Sequence, residues 1–216
     1  MSADAPSLPL TLAERLSMPG CAVVVIDMQN DFCAPGGYID VVMRKDVSTA
    51  ARTAEGVRRL VEAARRAKVP VVWVRADYSH ERVPRSMLVK LRERGISAVC
   101  CKPGTWGSDW FGVRPTDGEE VVTKHTYSGF AGTELEQRLT RLGARTLVFA
   151  GVQTQVCVES TVRDAHSRGY FCVVPEDAVG SHTPALHEAT LANIRFLFGD
   201  VCTVEDVARA WGVSAG

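Results

Sequence analysis

The run Cys21-Ala-Val-Val-Val-Ile26 has no polar residue at any position. A strand that alternates apolar and polar residues keeps one face in water. A strand that is apolar throughout is buried on both faces, as in a parallel sheet covered by helices. The same logic applies to Pro70–Arg75, Thr146–Ala150 and Tyr170–Val174, with shorter strands at Glu120–Thr123 and Val201–Val204. Between them lie helical patterns. Ser48–Lys68 carries Ala51, Ala54, Val57, Leu60, Val61 and Ala64 on one stripe. Thr133-Glu-Leu-Glu136 reads as a capping box opening a helix to Leu142, followed by helices over Val156–Arg168 and Pro184–Phe198. Thr183-Pro184 suits the cap and first turn of the last of these. Strands alternating with helices predict an α/β fold, a parallel sheet with helices on both faces. In such a fold the functional site lies at the carboxyl ends of the strands.

At 216 residues the chain suits one domain, expected over 21–216 behind an N-terminal arm, residues 1–20, with a short helix near Leu10–Leu16. Asp77–Gly118 lacks strong periodicity and is expected to be a long excursion over the site. Lys+Arg and Asp+Glu each total 25, which argues against a nucleic-acid partner or an anionic membrane surface. The apolar runs are too short to span a bilayer, and the first residues lack a basic region and an apolar signal core. The seven cysteines have no CxxC spacing, so reduced thiols in a cytoplasmic protein are expected. Cys21, Cys172 and Cys202 read as core residues, and the adjacent Cys100-Cys101 as packing or surface.

Three chemically capable residues follow three predicted strands: Asp27, Lys124 and Cys157. Each alone has an ordinary explanation. Aspartate often caps a turn, lysine is usually solvated, and a lone cysteine is usually packing. Together, at one edge of a parallel sheet, they supply a carboxylate to take a thiol's proton, an ammonium to hold developing charge, and a nucleophile. Cys157 follows the turn after Gly151 and opens a helix, where the unpaired N–H groups and the macrodipole are expected to lower its pKa. The turn Gly151–Cys157 also offers backbone N–H groups for an oxyanion.

Longer segments carry a family resemblance. These are Val25-Ile-Asp27-Met-Gln-Asn-Asp31-Phe32, Lys124-His-Thr-Tyr127-Ser128-Gly-Phe130-Ala-Gly-Thr133 and Gly151-Val-Gln-Thr154-Gln-Val-Cys157-Val-Glu-Ser-Thr-Val-Arg163-Asp164. With Val174-Pro-Glu176-Asp177-Ala178 and His187-Glu-Ala-Thr190-Leu-Ala-Asn193 they cover roughly residues 20–205. The chain resembles the isochorismatase-like cysteine hydrolases. The resemblance implies a three-layer αβα sandwich with a Rossmann-like, mostly parallel sheet of about six strands. It implies a catalytic triad of Asp27, Lys124 and Cys157. It also implies a cis peptide between Val152 and Gln153, and an oxyanion hole formed by the N–H groups of Gln153 and Cys157.

By the same resemblance, nicotinamidases bind a metal through an Asp-x-His loop. Here that stretch reads Asp77-Tyr-Ser79-His80, so no metal and no cofactor are expected. The thiol favours C–N cleavage over the vinyl-ether cleavage of isochorismatases. Cys157–Asp164, with Gly104-Thr-Trp106-Gly107 upstream, is most similar to amidohydrolases of ureido compounds such as ureidoacrylate, biuret and N-carbamoyl amino acids. Gln153 and Gln155 depart from the alanine and asparagine associated with those positions. Phe32, Trp106, Tyr127 and Phe130 are candidate pocket walls, and Gln29, Asn30 and Gln153 candidate hydrogen-bonding groups for a urea-like moiety. His125 is expected to be structural, because a strand neighbour points to the opposite face. Arg163 and Asp164 read as ion-pair or subunit-contact residues, and Glu176-Asp177 as loop-stabilising. The expected partners are a small amide or ureide and further copies of the chain, as dimer or tetramer. A nicotinamidase, an isochorismatase or a non-catalytic binding module on the same fold are the alternatives.

Overall fold

The computed structural model describes residues 8–17 and 19–215; residues 1–7 and Met18 of the expected arm lie outside the described residues. The elements run α1 (Leu12–Ser17), β1 (Cys21–Ile26), α2 (Asn30–Cys33), α3 (Tyr38–Val41), α4 (Ala50–Arg66), β2 (Val71–Ala76), α5 (Arg85–Glu93) and β3 (Glu120–Lys124). They continue α6 (Leu135–Arg141), β4 (Thr146–Val152), α7 (Glu159–Ser167), β5 (Phe171–Pro175), β6 (Val179–Gly180), α8 (Pro184–Asn193), β7 (Asp200–Cys202) and α9 (Val204–Ala210). The sheet order is β3-β2-β1-β4-β5-β7, with β6 on β4, and the pairings are parallel. This is the expected α/β sandwich, with the two-residue β6 as a seventh strand.

The apolar run of β1 serves two cores. Val23 and Val25 face a layer that includes Val57, Leu60, Val61 and Ala64 of α4 and Val207 of α9. Ala22, Val24 and Ile26 face the other, with Leu135 and Leu139 of α6, Val162 of α7 and Leu191 of α8. Each such fully buried aliphatic side chain contributes about 1.5–3 kcal/mol relative to an exposed one. On α4 the buried stripe begins at Ala50, and the expected Ala51 is exposed. The N-terminal segment is docked: Leu16 is buried, Arg15 pairs with Asp200 at 2.8 Å, and Thr146 Oγ1 donates to the Arg15 carbonyl at 2.9 Å.

Some local expectations fail for physical reasons. The capping box at Thr133–Glu136 does not form. The Thr133 hydroxyl donates to the Gly129 carbonyl, and Glu136 pairs with Arg168 instead. The box that does form is Thr203 with Asp206, opening α9. The excursion 77–118 contains α5, whose basic residues dilute its apolar pattern; only Met87 of that helix is buried. Among the described residues, no helix is long and apolar enough to cross a membrane.

Candidate active site

Asp27 directly follows β1 and adopts a left-handed φ of 55°. Lys124 is the last residue of β3, paired with Ala76 at the end of β2. One strand, β2, separates it from Asp27 in the sheet order, a gap that its four-carbon stem spans. Its Nζ lies 2.8 Å from Asp27 Oδ2 and 3.4 Å from Cys157 Sγ. It also donates to Tyr78 Oη at 2.7 Å and to the Thr126 carbonyl at 3.0 Å. Lysine and aspartate are both fully buried. The Lys124–Asp27 contact is an ion pair rather than an aligned hydrogen bond, so neither carboxylate oxygen has a well-aligned donor.

Cys157 reaches this cluster because β4 lies hard against β1. Gly151 pairs with Ile26 and has φ of +112°, and a Cβ there would collide with the Ile26 carbonyl oxygen. The peptide Val152–Gln153 is cis. The chain then enters a wide π-helical turn, Thr154–Val158, in which the Gln153 carbonyl accepts from the N–H groups of Val156 and Val158. Thr161 Oγ1 donates to the Cys157 carbonyl at 2.6 Å and accepts from the Gly129 N–H at 2.9 Å. This ties the turn that carries Cys157 to the loop after Lys124.

The expectation of a lowered Cys157 pKa is corrected. Burial pushes the thiol up to about 12, and the nearby Lys124 ammonium only partly opposes this. Desolvation of a fully buried thiolate outweighs a helix start. Burial raises Asp27 as well, against the pull of Lys124. For Lys124 the sign reverses. Burial alone favours the neutral amine, but Asp27 and Cys157 outweigh it and the pKa is raised, so the side chain stays ammonium. Tyr78 was not foreseen. Its hydroxyl lies 3.6 Å from Cys157 Sγ, and burial raises its pKa well above the ordinary value. Its only sequence signal was its place just after the end of β2, at the same sheet edge as the trio.

Cys157 opens onto a cavity of about 440 Å³ whose walls include Phe32, Tyr38, Tyr78, Tyr127 and Gln153. Most of its surface is apolar; Lys45 and Arg94 also line it. Four expected pocket residues do not: Gln29, Asn30, Phe130 and Trp106. Gln29 is buried behind the site, accepting from the Ala76 N–H at 2.7 Å and donating to the Ala76 and Ser108 carbonyls, so its amide is consumed within the fold. Phe130 is buried against Tyr170 and Arg168 on the far side of α7. Trp106 sits 54% exposed on a short 3-10 turn outside the cavity. The Gln153 amide is also occupied, donating to the Phe32 carbonyl and accepting from the His182 N–H. Asn30 donates to the Trp106 carbonyl. His125 Nδ1 lies 2.8 Å from the Asp77 carbonyl oxygen, and the Asp77 carboxylate is held by Ser79 and Arg82. Arg163 pairs with Glu159, and Asp164 with Arg168. Asp177 accepts from the Val204 N–H, which steadies the start of α9.

The isochorismatase domain model matches residues 21–206. The chain belongs to the isochorismatase family. A ureidoacrylate amidohydrolase of Methylorubrum extorquens is 39% identical over 197 residues, covering 84% of this chain and 79% of the relative. Among solved structures, a cysteine hydrolase from Pseudomonas syringae pv. phaseolicola superposes with a TM-score of 0.78 at 25% identity, covering 98% of this chain and 99% of that one. An N-carbamoylsarcosine amidase from Thermoplasma acidophilum gives 0.68 at 29% identity, covering 86% and 97%. Like these family members, the chain is a hydrolase, acting on carbon–nitrogen bonds other than peptide bonds.

Proposed function

We propose that the chain hydrolyses a small ureido acid through a thioester on Cys157, with Asp27 as general base and Lys124 as the fixed cation. The observation that carries this reading is a single buried ammonium in contact with both a carboxylate and a thiol, at 2.8 and 3.4 Å, at the wall of a cavity. Asp27 has no well-aligned donor, so a lone pair is open to receive the thiol proton. Because burial raises both pKa values, the transfer runs between two groups that each disfavour charge.

In the first half-reaction Sγ bonds to the carbonyl carbon of R–NH–CO–NH₂ as its proton moves to Asp27. The N–H groups of Gln153 and Cys157 receive the oxyanion. Asp27 returns the proton to the departing nitrogen and ammonia leaves, giving R–NH–CO–S–Cys157. In the second, Asp27 takes a proton from water, the hydroxide adds to the thioester, and R–NH–COOH leaves as the thiol is re-formed. Lys124 remains charged throughout and keeps the anionic states of both partners tolerable in a buried site.

The ureidoacrylate relatives and the N-carbamoylsarcosine amidase act, by name, on compounds that pair a ureido group with a carboxylate. The cavity supports that type: Lys45 and Arg94 line it, and neither forms an ion pair among the described residues. The test is ammonia release from ureidoacrylate, N-carbamoyl amino acids, biuret and nicotinamide, with Cys157→Ser alongside and mass spectrometry of the acyl-enzyme. Ammonia from a ureido acid, a matching adduct on Cys157, and silence in the variant are expected. Turnover surviving Cys157→Ser would overturn the mechanism. Release from nicotinamide alone would replace the substrate class, and an unreactive, ligand-binding protein would favour the non-catalytic module.

A further inference from the structure

A second cluster of reactive side chains lies beside the cavity and takes no part in the chemistry above. Asp31 on α2 and the adjacent Cys100 and Cys101, in the loop after α5, bring one carboxylate oxygen and two sulfurs within 4.8 Å of one another. We propose that they form a site for a thiophilic divalent cation of the zinc type.

Three observations carry it. First, the two sulfurs are 3.7 Å apart. Two thiolates on one tetrahedral zinc, each at about 2.3 Å, are separated by roughly 3.8 Å, so the pair already has the required spacing. Adjacent residues ordinarily send their side chains apart. Here Cys101 takes a left-handed φ of 55°, and the two thiols converge. Second, Asp31 is fixed. Its carboxylate accepts from the backbone N–H groups of Tyr38 and Cys101, and Gly107 packs where any Cβ would strike the carboxylate. Third, Asp31 has no basic partner among the described residues. A carboxylate held without a counter-charge beside two buried soft donors brings together three ligands of types suited to zinc, leaving a fourth position for water.

The site would join α2 to the loop after α5. Cys100 lines the cavity, and its carbonyl accepts at 3.2 Å from the N–H of Tyr78, whose hydroxyl contacts Cys157 and Lys124. A metal there would brace one cavity wall while leaving Cys157 free. This differs from a metal bound to the nucleophile, which would silence the enzyme.

The test uses the full chain, first stripped with a chelator under reducing conditions. Zinc is titrated against a chromophoric chelator, and cadmium is added to read the thiolate charge-transfer absorption. One equivalent is expected. Cys101→Ser and Asp31→Asn should each weaken binding by tenfold or more, and Cys157→Ser should leave it unchanged. X-ray absorption on the unmodified zinc protein should give two sulfurs near 2.3 Å with oxygen or nitrogen completing the shell, a reading that needs no variant to fold. Failure to bind a stoichiometric metal, or a single-sulfur shell lost with Cys157→Ser, would overturn the proposal. Neither result would bear on the thioester mechanism, because the metal-free protein is assayed separately for ammonia release.

Discussion

A lysine with no exposed surface survives in a fold only because its partners replace water. Lys124 has four: Asp27, Cys157, Tyr78 and the Thr126 carbonyl. Lys124→Met keeps the stem's volume but strands Asp27 without a counter-charge. Breaking one side of a buried pair costs about 3–5 kcal/mol, and for a chain of this size about 2–4 °C of melting temperature per kcal/mol. A fall of about 10 °C is expected in thermal unfolding, with turnover lost. Adding Asp27→Asn to the same chain should restore part of the melting temperature but none of the activity. A single variant that melts like the parent would mean the pair is not the anchor of the site. The titrations set a pH dependence. The proposed general base works deprotonated, and burial raises Asp27 above the ordinary aspartate value of 3.8. Activity is therefore expected to fall, as pH drops, at a higher pH than an exposed aspartate would give, and kcat/KM profiles check this. The thiol gives the opposite limb. With Cys157 pushed up to about 12, alkylation of the free enzyme at neutral pH should be slow and should still climb at pH 10, where an ordinary thiol has levelled off. Mass spectrometry after timed iodoacetamide treatment reads this directly, and a plateau below pH 9 would contradict it. Slow alkylation is thus a consequence of burial and no mark against a catalytic thiol.

At the scale of elements, the site depends on how closely β1, β2 and β4 approach one another at their carboxyl ends. Gly151→Ala should be the most damaging small change in the sheet. It demands a positive φ from an L residue and drives a methyl into the Ile26 carbonyl, so loss of soluble folded protein or a cost of several kcal/mol is expected in denaturant unfolding. Gln29 tests the other junction. Gln29→Ala leaves the Ala76 N–H buried and unpaired, a penalty of about 1–3 kcal/mol, yet KM for the surviving enzyme should barely move, because the amide is outside the cavity. These two residues also mark what was readable beforehand. The sheet was legible because β1, β4 and β5 are apolar at nearly every position, which only a doubly covered strand tolerates. Strand-end logic then selected Asp27, Lys124 and Cys157. Burial was not legible: an Asp or a Cys reads alike in a solvated turn and in a sealed one, so the sign of the Cys157 shift was missed. Nor was direction. Phe32 and Phe130 look equally suited to a pocket, but Phe32 lines the cavity while Phe130 packs under α7. The excursion hid the most, since Tyr78 at its start and Arg94 at the end of α5 gain their positions from its path and from no periodicity of their own.

Over the whole molecule the charges balance, so no global field selects the substrate; local placement must do so. Asp27, Lys124 and Cys157 cluster at one wall of the cavity, with the lysine ammonium sealed among Asp27, Cys157 and Tyr78. Lys124 is therefore spoken for and cannot attract a substrate's carboxylate. The charges left to do so are Lys45 and Arg94, carried respectively by the loop after α3 and by the residue that ends α5. Both are solvent-exposed, so their pull is modest and salt-sensitive: about 1 kcal/mol each, or about fivefold in affinity, at physiological ionic strength. Arg94→Ala should accordingly raise KM about fivefold for N-carbamoyl amino acids and ureidoacrylate while leaving kcat nearly unchanged, because the guanidinium contributes equally to bound substrate and transition state. Biuret carries no carboxylate and serves as the internal control: its kcat/KM should be the same in both proteins. Raising the salt concentration should bring the parent enzyme towards the variant for the acids alone. If Arg94→Ala slows biuret and the ureido acids equally, the residue shapes the wall instead of reading charge, and the preference for an acidic substrate loses its physical basis.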